Sequence, residues 1–299
     1  MADNPFHAKD TQFHKEYDVA RRTIVQASKA ILEVLSSKEL GVEFKGNESP
    51  VGIADYRANN ILCTALHNAF PDDGILSEES PEKTFNPEKT HFVQGYESAL
   101  SAMKEWSSRK RSWIIDPLDG TRQFINGNDE FGILVGLIED GKPVFGINYF
   151  PKFDTWYYAA EGQGAYREDS EGITRLSLDK NSIENLEKVL VSRSISQVHE
   201  ELLLRLFNHV EKIGSLGLKV CRVAEGLADA QIFLSDKSSL WDVCSSEIII
   251  NEAGGKITDW NGNSFKYSKD TVRNIYGVIS SSYQNHARII DRLQSSLDK

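Results

Sequence analysis

Asp116 and Asp119 stand three residues apart, flanking Pro117-Leu118, directly after the apolar run Trp113-Ile114-Ile115. Proline fixes its own φ and pushes the residue before it towards an extended backbone, so the chain leaves a buried strand in a stiff turn. Two carboxylates held that close repel unless one is protonated or a cation bridges them. Hard oxygen donors on a turn suit Mg²⁺ or Mn²⁺. Gly120-Thr121 opens the next segment. There Thr121 can cap a helix, and backbone N–H groups can take an anion. A metal pair beside an anion site is the layout of a phosphoryl-transfer centre. The plain alternative is a turn with two acidic residues and a capping threonine.

Further acidic residues stand at the ends of expected elements: Asp55, Glu78-Glu79 and Asp242. Asp55 and Asp242 fall at helix starts, where an N-cap is the ordinary role. Acidic pairs such as Glu78-Glu79 are commonly solvated, and Trp241 is ordinarily core. The basic cluster Arg109-Lys110-Arg111 is ordinarily a solvated face, with phosphate steering as its other reading.

The elements that must position these residues follow from periodicity. Apolar residues at three- and four-residue steps predict helices over 14–35 and 55–69. Pro71-Asp72-Asp73-Gly74 is a turn signal, and Ile75-Leu76 a short strand. Residues 81–111 begin as a loop and contain a helix near 96–106. Runs at 131–139 and 144–151, joined across Asp140-Gly141, read as a hairpin, and 156–160 and 164–167 continue the antiparallel pattern. Beyond residue 180 strands alternate with helices: strands at 189–191, 230–234, 257–258 and 278–279, helices at 199–210, 218–226, 241–253 and 283–297. The fold class is therefore α/β, an α+β layered sandwich with an antiparallel-rich N-terminal sheet and a smaller mixed or parallel C-terminal sheet between helices. The division falls at 1–184, an α+β subdomain with most acidic ligands, and 185–299, an α/β subdomain with Asp242 and the substrate pocket.

The chain has 299 residues, 40% hydrophobic and 26% charged, which is globular and excludes a disordered or fibrous chain. A formal net charge of −10 disfavours a nucleic-acid polymer as partner. It leaves room for a small anionic substrate, because a bound cation reverses the local field. The three cysteines, Cys63, Cys221 and Cys244, have no metal-ligand spacing and an odd count, which points to a reducing compartment. No signal segment opens the chain and no run of 18 apolar residues occurs, so the expectation is a cytoplasmic protein without a membrane partner.

Taken together, Ser49-Pro50-Val51-Gly52-Ile53-Ala54-Asp55, Leu76-Ser77-Glu78-Glu79-Ser80, the segment from Trp113 to Phe124, and Trp241-Asp242 through Glu252-Ala253-Gly254-Gly255 resemble the lithium-sensitive, magnesium-dependent phosphomonoesterase superfamily. It includes inositol monophosphatases, fructose-1,6-bisphosphatases and 3′(2′),5′-bisphosphate nucleotidases. The resemblance covers about residues 15 to 282 and implies two or three Mg²⁺ ions. Glu78, Asp116 and the Leu118 carbonyl match the first metal site, and Asp116, Asp119 and Asp242 the second. Asp55 matches the residue supporting a weaker third metal. Thr121, with Glu78 and Asp55, matches the residues that orient the attacking water, and the Gly120 and Thr121 N–H groups those that hold the phosphate. Glu79 matches a supporting position. The resemblance also implies lithium inhibition and, in many members, a homodimer.

Val191-Ser192-Arg193-Ser194 and the segment from Gly214 to Gly226 resemble bacterial bisphosphate nucleotidases, which remove the 3′-phosphate of adenosine 3′,5′-bisphosphate. Arg193 and Lys219 are the candidate contacts to a second phosphate; the bland readings are a polar strand end and a surface lysine. Inositol monophosphatases typically carry a Glu several residues before Trp-Asp, where this chain has Ser235-Asp236. An inositol-phosphate or broad sugar-phosphate phosphatase is the other enzymatic reading, and a catalytically weak binding protein the reading from another class.

Overall fold

The computed structural model describes residues 6, 11–37, 41, 43–45, 49–79, 96–178 and 187–297. The first apolar repeat becomes α1 (His14–Ser37), which buries Tyr17, Ala20, Ile24, Ala27, Ile31 and Val34 along one stripe. A short antiparallel pair, β1 (Glu43–Lys45) and β2 (Ser49–Val51), leads into α2 (Ile53–Ala69). Then come β3 (Gly74–Ser77), α3 (Tyr96–Glu105), β4 (Arg111–Asp119), α4 (Thr121–Ile125), β5 (Gly132–Glu139), β6 (Lys142–Phe150), β7 (Thr155–Ala160), β8 (Gly164–Asp169) and β9 (Gly172–Leu176). These seven strands form one sheet in chain order, antiparallel except for the parallel pair β3–β4.

The second half contains β10 (Lys188–Ser192), α5 (Gln197–Leu206), β11 (His209–Ile213), α6 (Leu216–Ala224), β12 (Ala230–Phe233), β13 (Ser238–Ser239), α7 (Leu240–Glu252), β14 (Gly255–Thr258), β15 (Arg273–Asn274), β16 (Val278–Ser282) and α8 (Tyr283–Leu297). Its five-stranded sheet runs β11-β10-β12-β16-β14 and is mixed: β10 is parallel to β11 and β12, and β16 antiparallel to β12 and β14.

The two-residue period of the strands sorts side chains between layers. Ile133 and Val135 face the core beneath α1 and α2, whereas Leu134 between them faces the core shared with α6 and α7. In the second sheet Val189 and Val191 pack with Leu203 of α5 and Ile289 of α8, and Leu190 turns to the α6–α7 side. The order is helix, sheet, helix, sheet, helix. The inner layer lies close to the large sheet because β5 and β6 carry glycine there. A Cβ at Gly136 would stand 2.6 Å from Cys244 Sγ, and one at Gly146 2.5 Å from the Ser245 carbonyl oxygen. Side chains at these positions would lift α7, and Asp242 with it, away from the sheet.

Several expectations need correction. The helix expected over 199–210 stops at Leu206; His209–Ile213 forms a parallel edge strand whose mixed pattern hides its alternation. The helix expected from residue 218 begins at Leu216, because Ser215 caps it. Strands β1, β2, β9, β13 and β15 are additions to the sequence reading. The helix expected near 96–106 is α3 with the one-turn 3₁₀ segment Trp106–Ser108; the loop before it, over 80–95, lies outside the described residues, as does the boundary between 184 and 185. The basic cluster is tied into the surface: Arg109 pairs with Glu105, Lys110 with Glu139, and Arg111 with Glu16 and Asp73.

Helix α8 is fastened by a buried histidine. His286 Nε2 lies 2.8 Å from Thr258 Oγ1, and its Nδ1 2.9 Å from Ser281 Oγ. Burial, then the nearby Lys256 charge, lowers its pKa to about 4 from 6.5. The unfolded chain therefore binds this proton at a higher pH than the folded chain, and stability falls as pH drops from 6.5 towards about 4. Thermal melts across that range should show the decline, and His286→Asn should reduce the slope there. An unchanged slope in the variant would assign the acid sensitivity to other groups.

Candidate active site

The paired strands β4 and β5 lose register where the chemistry begins. Asp116 pairs with Leu134 but Asp119 with Gly132, so three steps on β4 oppose two on β5. Such a bulge re-aims side chains at a strand end. Asp116 Oδ1 accepts the Leu118 N–H at 3.0 Å, which tightens the turn. Gly120 follows with φ +88°, and a Cβ there would meet the Glu130 carbonyl oxygen at 2.5 Å. Both the left-handed backbone and the close approach require glycine. Gly120, not Thr121, is the N-cap of α4. That leaves the Thr121 hydroxyl for the site: it lies 3.1 Å from Asp55 Oδ1 and 3.0 Å from the Leu118 carbonyl oxygen, both acceptors.

Three helices aim their first turns at this turn. Asp55 and Asp242 are not N-caps; each sits three residues after one and reaches back. Asp55 Oδ2 accepts the Gly52 N–H at 2.9 Å, and Asp242 Oδ2 the Ser239 N–H at 2.6 Å. Capping fixes each carboxylate without consuming all of its acceptor sites. The third helix, α6, grips Asp119. Ser215 Oγ accepts the Leu218 N–H at 2.9 Å and donates its own proton to Asp119 Oδ2. Gly217 N–H donates to the same oxygen at 2.8 Å, and Leu216 N–H to Asp119 Oδ1 at 3.2 Å. Ser215 is a site residue that sequence reasoning missed; its signal was a serine directly before an apolar helical run. Glu78 sits at the end of β3, where its N–H donates to the Ile115 carbonyl at 3.1 Å and its charge reaches Asp116. Its neighbour Glu79 is buried.

Asp116, Asp119 and Asp242 each bring a carboxylate oxygen within 4.8 Å of the other two. Asp116 is 1% exposed. Burial, followed by the charges of Glu78, Asp119 and Asp242, raises its pKa well above the usual carboxylate range. Burial, then Glu78 and Asp119, raises Asp242 likewise. Asp119 is raised by burial, against the opposing pull of Ser215, Lys219 and the α6 N–H groups. Lys219 is buried, not a surface lysine. Its ammonium donates to the Ile213 and Ser215 carbonyls at 3.1 and 3.0 Å. It offsets the acidic charge from behind the loop without bridging the carboxylates. A set of hard oxygen donors, two buried and one half-buried, with residual repulsion fits a divalent cation.

These groups line one wall of a cavity of about 1160 Å³ with Glu78, Gly120, Thr121 and Lys219. Ser192 and Ser194 form part of another wall, and Lys237, Lys269 and Arg273 reach it from around β13 and β15. Arg193 is turned elsewhere: its guanidinium makes two hydrogen bonds to Glu130, at 2.7 and 2.6 Å. Asp55 does not join the three-aspartate cluster and is linked to the turn by the hydrogen bond from Thr121.

Comparison with known proteins gives the family. The profile of the inositol monophosphatase family matches residues 13–298, and the chain belongs to that family. The 3′(2′),5′-bisphosphate nucleotidase CysQ of Salmonella typhimurium is 35% identical over 246 residues, covering 81% of this chain and 89% of that protein. CysQ of Escherichia coli K12 is 33% identical over the same span. Among solved structures, CysQ of Bacteroides thetaiotaomicron has a TM-score of 0.69 at 26% identity, covering 91% of this chain and 98% of that one. A Thermotoga maritima IMPase, at 22% identity, has a TM-score of 0.72 with coverage of 96% and 99%, which shows the shared fold. The chain is a phosphoric monoester hydrolase of this family, whose members are metal-dependent. Its substrates are small phosphorylated compounds. Among the described residues no helix is long and apolar enough to cross a membrane.

The raised carboxyls fix the sign of a stability test. A folded-state pKa above the unfolded value means that stability is lost as pH rises through it. Metal-free protein should therefore lose stability as pH rises above the ordinary carboxylate range, as far as these groups decide. Asp116→Asn keeps the acceptor for Leu118 N–H and removes a buried charge. It should raise Tm in EDTA, more at pH 8 than at pH 4, and abolish the further rise on adding Mg²⁺. A lowered Tm in EDTA, or an intact Mg²⁺ response, would contradict the repulsion.

Proposed function

We propose that the chain is a Mg²⁺-dependent 3′(2′),5′-bisphosphate nucleotidase that hydrolyses the 3′-phosphate of adenosine 3′,5′-bisphosphate. The observation that carries this reading is the buried aspartate cluster beside the Gly120–Thr121 turn, facing a cavity of about 1160 Å³. The CysQ relatives, at 33–35% identity over 81% of the chain, support the choice of substrate.

Glu78, Asp116 and the Leu118 carbonyl would hold one ion, Asp116, Asp119 and Asp242 a second, and Asp55 would support a third. When bound, the ions acidify water and neutralise charge on the phosphoryl oxygens and the leaving group. The Gly120 and Thr121 N–H groups hold the phosphate on the turn. Thr121 Oγ1 orients the water opposite the ester bond, with Asp55 Oδ1 fixing the hydroxyl. The water oxygen forms the new P–O bond as the ester P–O bond breaks, and the ribose oxygen leaves with a proton. Ser215 and the α6 N–H groups, with Lys219 behind them, favour the charged form of Asp119 against the effect of its burial. No side chain forms a covalent intermediate.

A second phosphate needs cations beyond the acidic cluster. Lys237, Lys269 and Arg273 line the cavity, are exposed and make no ion pair with described residues. They are better disposed for that contact than Arg193, which Glu130 engages, or Lys219, whose ammonium bonds to its own loop. Phosphate release with Mg²⁺ should be faster from adenosine 3′,5′-bisphosphate than from inositol 1-phosphate, should stop with EDTA, and should fall with lithium. Changing Lys269 and Arg273 together to Ala should raise KM for the bisphosphate about tenfold, the scale of a lost charged hydrogen bond. KM for a monophosphate should stay near its starting value. Preference for inositol 1-phosphate would overturn the substrate and leave the acidic site standing.

A further inference from the structure

The mechanism above leaves Glu130 and Arg193 without a part, although they touch three segments of the site. Glu130 lies between α4 and β5. Its Oε2 accepts both Arg193 Nε and the Gly214 N–H at 2.7 Å, and its Oε1 accepts Arg193 Nη2 at 2.6 Å. Burial works against the Glu130 charge, but Arg193 and the Gly214 N–H outweigh it and hold the carboxyl below its ordinary range. The Glu130 side chain is 17% exposed and that of Arg193 46%, so the carboxylate lies on the inner side of a pair whose guanidinium faces water.

Each partner leads to a part of the site. Gly214 directly precedes Ser215, which donates to Asp119 and caps α6. On its other side Gly214 abuts α4, where a Cβ would meet Gln123 Cγ at 2.1 Å. The Glu130 backbone packs close against the left-handed turn at Gly120, where a Cβ would meet its carbonyl oxygen at 2.5 Å. Arg193 extends from the end of β10, between Ser192 and Ser194 of the cavity wall. One carboxylate thus ties the loop that grips Asp119 to the end of the substrate wall, from a residue whose backbone packs on the Gly120 turn.

We propose that Glu130 is a positioning residue that, clamped by Arg193, fixes the Gly214–Ser215 loop and through it the orientation of Asp119 towards a bound cation. The inference rests on the metal-dependent phosphatase reading. It also gives Arg193 a task other than contact with substrate.

The test uses the full-length protein and the variants Glu130→Ala, Glu130→Gln and Arg193→Ala, each checked for folding by thermal melts. Mg²⁺ binding to EDTA-treated, dialysed protein is measured by calorimetry, and kcat and KM are measured separately. Glu130→Ala should weaken Mg²⁺ binding and lower kcat, each by about tenfold, as expected for a residue orienting a ligand, with KM little changed. Glu130→Gln keeps an acceptor for the Gly214 N–H and should recover part of both losses. Arg193→Ala should move metal binding and kcat in the same direction by a smaller factor. Wild-type Mg²⁺ affinity and kcat in Glu130→Ala would overturn the proposal. So would a raised KM in Arg193→Ala with unchanged metal binding, which would make Arg193 a substrate contact. If Glu130→Ala fails to fold, the other two variants decide. If the wild-type protein releases no phosphate from any ester, the functional reading fails, and the calorimetric arm still decides the clamp.

Discussion

Three carboxylates within 4.8 Å of one another, largely out of water, repel, and most of the unusual local structure serves to hold them there. A fold driven only by burial would separate or neutralise them. Here each is held by hydrogen bonds that do not remove its charge. Asp116 is held by its own turn, Asp242 by the first turn of α7, and Asp119 by Ser215 and the N–H groups of α6. The repulsion is then available as binding energy for a cation, because what destabilises the metal-free protein is relieved when positive charge enters.

The larger architecture serves the same end. Asp242 comes from the second half of the chain, and α7 brings it to β4 only because Gly136 and Gly146 let the helix lie close on the large sheet. The β4 bulge turns Asp116 and Asp119 towards the same point, and the left-handed Gly120 starts α4 without using the Thr121 hydroxyl as a cap. Thr121 is thereby left to Asp55, which α2 supplies. The cavity is lined both by the acidic groups and by Lys237, Lys269 and Arg273.

Much of this was legible in the sequence because strong local signals coincide with it. Asp-Pro-Leu-Asp-Gly-Thr marks a stiff acidic turn after a buried strand, and Asp55 and Asp242 announce helix starts even though they prove to be third residues and not caps. The layered α/β fold and the antiparallel large sheet follow from period and turn signals. What the sequence hid was long-range. Nothing local says that Ser215 donates to Asp119, 96 residues away, or that Arg193 turns to Glu130, 63 residues away. Lys219 reads as surface or pocket because its type gives no sign that two carbonyls receive its buried ammonium. The edge strand after α5 escaped because its polar residues do not alternate cleanly with apolar ones.

The central claim is that the cluster of Asp116, Asp119 and Asp242 is a cation site. Crystals of the protein soaked in Mn²⁺ would test it through anomalous scattering. The account predicts strong peaks within coordination distance of Asp116, Asp119 and Asp242, on the cavity side of the Gly120 turn. A well-ordered site with no anomalous peak there at millimolar Mn²⁺, or peaks only on surface carboxylates, would contradict it.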